Sequence, residues 1–296
     1  MEIFKIIQYT GHRSAIYSMV DIPDKNYFVS AGGDGWIVAW KKDGSEPDGQ
    51  LLAKTEGKIF CLAYINSHRI LLAGDMDGHL YFIDIDNHTT LKRLVIHKGS
   101  IFDIIIEGDT AFTCSADGYI SRIDMKSMMP QVSVQISLRG LRCLFLHQNH
   151  LFIGGSDNSI KKLNLQTLEC IENITDAHQN SVFTLCIDEE GKLYSGGRDA
   201  MLKQWTINPL TETKSLPGHW FTINKIVLFK QKYFLTASRD KTFRIWEKES
   251  LSLLKSIDFA KDGHINSVNS ALFLKDSDLI ATCSDDRSII LWKISE

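Results

Sequence analysis

The 296-residue chain has no run of Lys or Arg, no long apolar stretch, no Cys-x-x-Cys pair, no window of helical period and only five prolines. Each lack excludes something. The 33 basic and 36 acidic residues are spread along the chain for a net charge of −3, so the electrostatic footprint that a phosphate backbone needs is missing and nucleic acid is not an expected partner. Nothing approaches the roughly 18 apolar residues of a membrane-spanning helix, so no membrane partner is expected. Residues 1–8 mix charged and apolar side chains, without the apolar core and small-residue cleavage site of a secretory leader. The Asn87 and Asn173 sequons therefore carry little weight. Cys61, Cys114, Cys143, Cys170, Cys186 and Cys283 include several inside apolar runs, such as Phe60-Cys61-Leu62 and Leu185-Cys186-Ile187. Those contexts read as buried reduced thiols and a cytoplasmic location. With 44% hydrophobic and 23% charged residues, the composition is that of an ordinary globular protein.

What the chain does have is a repeat. Small residues, an Asp and a strand ending in Trp recur as SAGGDGWIVAW over 30–40, SGGRDAMLKQW over 195–205, TASRDKTFRIW over 236–246 and TCSDDRSIILW over 282–292. Weaker copies end at Ile83, Ile123 and Leu163. The anchoring aspartates Asp34, Asp77, Asp117, Asp157, Asp199, Asp240 and Asp286 follow one another at intervals of 40 to 46 residues. A His precedes five of them by 20 to 22 residues: His12, His97, His178, His219 and His264. Three of these follow Gly. Within the first unit, β-branched and aromatic runs at 15–20, 27–31, 36–40 and 51–54 are separated by turn residues, which reads as four short strands.

On these residues the chain resembles the WD40-repeat family, whose units run from a Gly-His pair to a Trp-Asp pair over about 40–45 residues. The final Asp is mostly absent here: Lys41, Thr206, Glu247 and Lys293 follow the Trp. The expected fold is all-β, a seven-bladed WD40-type β-propeller with four antiparallel strands per blade. It forms one domain over 1–296, with blades at about 10–55, 56–96, 97–137, 138–177, 178–217, 218–258, and 259–296 plus 1–9. The strand at 3–8 is expected beside 288–293, completing the last blade and removing an open edge.

Four units hold a full set of polar residues: His12, Ser30, Asp34 and Trp40; His178, Ser195, Asp199 and Trp205; His219, Thr236, Asp240 and Trp246; His264, Thr282, Asp286 and Trp292. A Ser-His-Asp set invites a hydrolase reading, but a catalytic triad is needed once, not four times at a fixed period. The resemblance implies buried hydrogen-bonded tetrads instead. Units two and four lack the His and hold Ala73 with Ile83, and Ile153 with Leu163, where hydroxyl and Trp would stand. The partners are expected to vanish together there, with Asp77 and Asp157 kept for the turn. Unit three keeps His97, Thr113 and Asp117 but has Ile123 for Trp.

No catalytic residue, metal site or cofactor is expected. Asp75-Met76-Asp77-Gly78 lacks a ligand position of a calcium loop, and the Gly pairs at Gly32, Gly154 and Gly196 match no phosphate-binding pattern. By the resemblance, residues five past the His point to the rim of the top face: Tyr17, Phe60, Phe102, Arg142, Phe183, Asn224 and Asn269, with Phe60 and Arg142 aligned by the strand pattern because their units lack the His. Arg198 and Arg239, each just before its Asp, and Trp220, just after its His, extend the set. The alternative for the aromatics is packing between blades. The expected function is a non-catalytic interaction scaffold that binds a peptide or partner protein there, the isolated chain being monomeric. An enzymatic or small-molecule propeller using the central channel, or a fixed architectural subunit, are the alternatives.

Overall fold

Strands arise here because apolar side chains alternate, one facing each neighbouring blade. In the third strand of the first blade, Trp36–Lys41, Ile37 and Ala39 pack toward the second blade while Val38 and Trp40 pack toward the seventh. Period-two alternation buried on both faces is what a radial stack of sheets requires. The computed structural model describes residues 1–295, so residue 296, the end of the expected last blade, lies outside the described residues. It contains seven four-stranded antiparallel sheets. Six are built from consecutive strands; the seventh is ordered with the first strand of the chain, Glu2–Thr10, outside the last, Ser288–Ser295. That pairing runs from Glu2 opposite Ser295 to Thr10 opposite Ser288, longer at both ends than the sequence indicates. One 3-10 turn, Phe259–Lys261, is the sole helical element among the described residues.

The apolar core is a set of seams, one between each pair of neighbouring blades. Glycine permits the closest approaches. A Cβ on Gly196 would stand 2.9 Å from Ile223 Cβ of the next blade, and one on Gly154 would stand 3.0 Å from Val182 Cβ. Gly154 and Gly196 are thus packing devices between blades. All six cysteines are free; five are buried, while Cys170 on an outer strand is exposed, a correction to the expectation for that thiol.

Candidate functional site

Each complete tetrad is a continuous hydrogen-bonded chain. In blade six the Trp246 indole N–H donates to Thr236 Oγ1 at 2.8 Å, that hydroxyl donates to His219 Nε2 at 2.6 Å, and His219 Nδ1–H donates to Asp240 at 2.8 Å. The carboxylate accepts only, so it fixes the proton on Nδ1, and the hydroxyl proton then points to Nε2. Blade one repeats this with Trp40, Ser30, His12 and Asp34, blade five with Trp205, Ser195, His178 and Asp199, and blade seven with Trp292, Thr282, His264 and Asp286. The four hydroxyl residues are fully buried. At its outer end each Asp also accepts a backbone N–H from the loop entering the blade, as Asp240 does from Trp220 at 3.1 Å. The tetrads therefore tie together the two loops that form one face of the ring.

The incomplete units differ from expectation. In blade two the working carboxylate is Asp75, which is buried, whereas Asp77 is exposed. Asp75 accepts from the His79 ring at 2.8 Å, from the Tyr81 hydroxyl at 3.1 Å and from the backbone N–H groups of Asp77 and His79. Asp75, Asp77 and His79 bring potential ligand atoms within 4.8 Å of one another, but these bonds occupy the lone pairs of Asp75. In blade four Ser137 takes the His position and donates to Asp157 at 2.8 Å, and the buried Lys161 ammonium donates to the same oxygen at 2.7 Å. The networks were replaced, not lost, because a carboxylate tucked under the turn still needs buried partners.

These groups carry a pH dependence. Burial opposes charge on Asp157, but Lys161 and the Ser159 and Ser137 hydroxyls outweigh it and hold the carboxyl down at about 2. Burial similarly opposes charge on Asp286, yet His264 and Ser288 bring it to about 2. Burial pushes His97 and His219 below their ordinary 6.5, against the pull of Asp117 and Asp240. Both kinds of shift act in one direction. The unfolded chain binds protons first at these imidazoles below 6.5 and then at these carboxyls below 3.8, so stability present at neutral pH is lost on acidification. The urea midpoint is expected to start falling near pH 6.5 and to fall more steeply below about pH 4; a midpoint constant from about pH 7 to 3 contradicts this account.

The channel mouth is built by a recurring irregularity. In every blade the ladder between the first two strands slips by one residue, and the skipped residues are Tyr17, Phe60, Phe102, Arg142, Phe183, Asn224 and Asn269. A bulge residue leaves the ladder and re-aims its side chain. All seven line one cavity of about 780 Å³ at the ring's centre and are half-buried rather than freely exposed. The aromatics meet at a tilt around the opening: Tyr17 and Phe60 centroids are 5.2 Å apart, and Phe60 and Phe102 are 5.7 Å apart. The Arg142 guanidinium lies 4.3 Å from the Phe102 centroid and 5.2 Å from that of Phe183. Asn224 and Asn269 close the ring, donating to the Val268 and Ile16 carbonyls at 2.8 and 2.9 Å. Arg198, Arg239 and Trp220 stand outside this arc on the surrounding loops; all are exposed, Trp220 by 82%.

Sequence reasoning missed one layer. Just below the bulges, five blades place Ser, Thr or Cys, but blade three places Asp103 and blade six Lys225, both lining the cavity. Asp103 clasps two blades, accepting the Leu144 backbone N–H at 2.9 Å. Burial raises its pKa, with Lys225 opposing. Both stand six residues past their His, at a register where the other units are neutral; that was the available signal.

A family model described as WD domain, G-beta repeat matches residues 4–41, 168–206, 210–247 and 254–293, together just over half of the chain. These segments are the units with complete tetrads. Human kinesin-like protein KIF21A is 27% identical over 180 residues, which cover 57% of this chain and 11% of that protein, so the chain corresponds to a small part of it. The pre-mRNA-splicing factor cwf17 of Schizosaccharomyces pombe is 22% identical over 311 residues, covering 98% of this chain and 87% of its own length. The solved WD40 β-propeller domain of Doa1 superposes with a TM-score of 0.89 at 18% identity, over 100% of this chain and 98% of that one.

Proposed function

From the premise that the chain belongs to the WD40-repeat family, we propose that it is a non-catalytic scaffold that binds a peptide or partner protein at the mouth of its channel. The observation that carries this is the arc of Tyr17, Phe60, Phe102, Arg142 and Phe183, five bulge side chains aimed into one opening. Aromatic residues and Arg in a partly desolvated recess are the usual anchors of binding energy. The non-catalytic reading is supported by burial: the hydroxyls beside His12, His178, His219 and His264 are fully occupied and out of reach of a substrate. A cytoplasmic location is supported by six unpaired thiols, and monomeric behaviour by a ring in which all seven sheets draw their four strands from this one chain.

The test is to pan a random dodecapeptide display library on the full chain and on the double variant Phe102→Ala/Arg142→Ala. Peptides recovered with the native chain are expected to bind the variant at least about 100-fold more weakly, since two central anchors are gone. Its melting temperature is expected to stay within about 4 °C, because neither residue belongs to a seam or a tetrad. Undiminished binding to the variant places the site elsewhere.

A further inference from the structure

The two faces of the ring treat their cations differently. On the face opposite the mouth, carboxylates meet most of them: Lys192 lies 2.7 Å from Glu190, Lys126 2.8 Å from Asp109, and Lys230 2.8 Å from Asp278. Lys232 and Lys275 are exceptions. On the mouth face, the loops of blades three to six expose Lys98, Arg139, Arg198, Arg239 and Lys241, and among the described residues none of these forms an ion pair. One exposed carboxylate, Asp176, stands among them. The anchoring aspartates of the same blades turn inward, with side chains between 3% and 26% exposed. A chain of net charge −3 thus keeps an unneutralised basic arc on four adjacent blades.

Arg142 decides the sign of the ligand. Two phenyl rings facing one slot would suit a cation brought by a partner, but the chain's own guanidinium already fills the space between Phe102 and Phe183. Arg142 Nε donates to Ser156 Oγ at 2.7 Å, while no described residue accepts from either terminal nitrogen. A guanidinium clamped by rings, with its outer edge free, is oriented for a carboxylate.

We infer that the channel mouth takes an acidic peptide: an extended, Asp/Glu-bearing segment of a protein partner, with one carboxylate on Arg142 and others over the basic arc. Trp220 and Phe221, 82% and 60% exposed beside Arg239, supply the place for a large apolar side chain of the same segment. A phosphate backbone fits less well, because exposed Glu56, Asp77, Asp262 and Asp285 are interspersed with the further mouth-face cations Arg13, Lys58 and Arg287 on blades one, two and seven, so the positive track is broken outside blades three to six. This inference rests on the peptide-binding reading above and adds the chemistry of the ligand.

The same display library tests it, panned in parallel on the full chain, on Arg142→Gln and on the surface pair Arg198→Glu/Arg239→Glu. Peptides selected by the native chain are expected to be enriched in Asp and Glu by about threefold over the input. By fluorescence anisotropy they are expected to bind each variant at least about tenfold more weakly, and to weaken as salt rises. If Phe102→Ala/Arg142→Ala abolishes binding but the peptides are neutral or basic, the acidic-ligand inference is overturned and the peptide-binding reading stands. If no peptide discriminates that double variant from the native chain, both are overturned. A single-stranded DNA dodecamer that displaces the selected peptides at lower concentration than they compete with one another overturns it in favour of a nucleic acid. The surface pair keeps the test valid should Arg142→Gln disturb the mouth.

Discussion

Deleting residues 1–8 is expected to destabilise the chain by on the order of 5 kcal/mol, much of what a domain has. Side-chain burial is the smaller part of the loss, since only Met1, Ile3 and Ile7 of the segment pack against the core, and those partly. Phe4 and Ile6 are exposed, and Ile3 and Ile7 are half-buried. Most of it comes from the backbone ladder between Glu2–Thr10 and Ser288–Ser295, at about 1 kcal/mol for each hydrogen bond lost. The deletion also bares the edge of a strand holding Leu291, Trp292 and Ile294, which are core residues. An apolar unpaired edge templates association, so the truncated chain is also expected to elute as soluble aggregate on size exclusion. Urea denaturation followed by tryptophan fluorescence measures the first effect. A truncated chain with the native midpoint would show that the ring holds without its closing strand.

Thr236→Val is expected to cost about 3 kcal/mol despite conserving shape, because it strands two buried groups at once: the Trp246 indole N–H and His219 Nε2. Thr113→Val in blade three offers the control. There the hydroxyl serves His97 alone, at 2.8 Å, and Ile123 stands where the Trp would be, so roughly half the cost is expected. Urea midpoints of the two variants compare them directly. Equal losses would mean that the indole contributes nothing to the tetrad.

The seven-unit ring was legible because it is written in periodicity, which depends on many residues and tolerates the loss of any one. The substituted networks were harder to read. In blade two the carboxylate moved from the expected Asp77 to Asp75, whose partners His79 and Tyr81 lie two residues apart on the next strand and so share a face of it. In blade four Lys161 reaches back to Asp157 from the third strand. Neither pattern repeats, so comparing units conceals it. The register of the mouth residues could be read from the sequence, but their mutual contacts could not. Whether Phe60 faces solvent or Phe102 depends on the bulge and on the separation of neighbouring blades, and only the folded ring sets these.

The bulge has a consequence for how this protein can change. A residue outside the ladder makes no demand on its partner strand, so its side chain can be exchanged with little penalty to folding. Tetrads and seams govern whether the ring forms, while on the proposed reading the aromatic and Arg bulge positions govern what it holds. Grafting a different set of side chains onto 17, 60, 102, 142 and 183, while keeping Asn224 and Asn269 for their inter-blade hydrogen bonds, should therefore redirect affinity while leaving the melting curve nearly unmoved, and on the proposed reading ligand preference becomes a trait that drifts independently of fold.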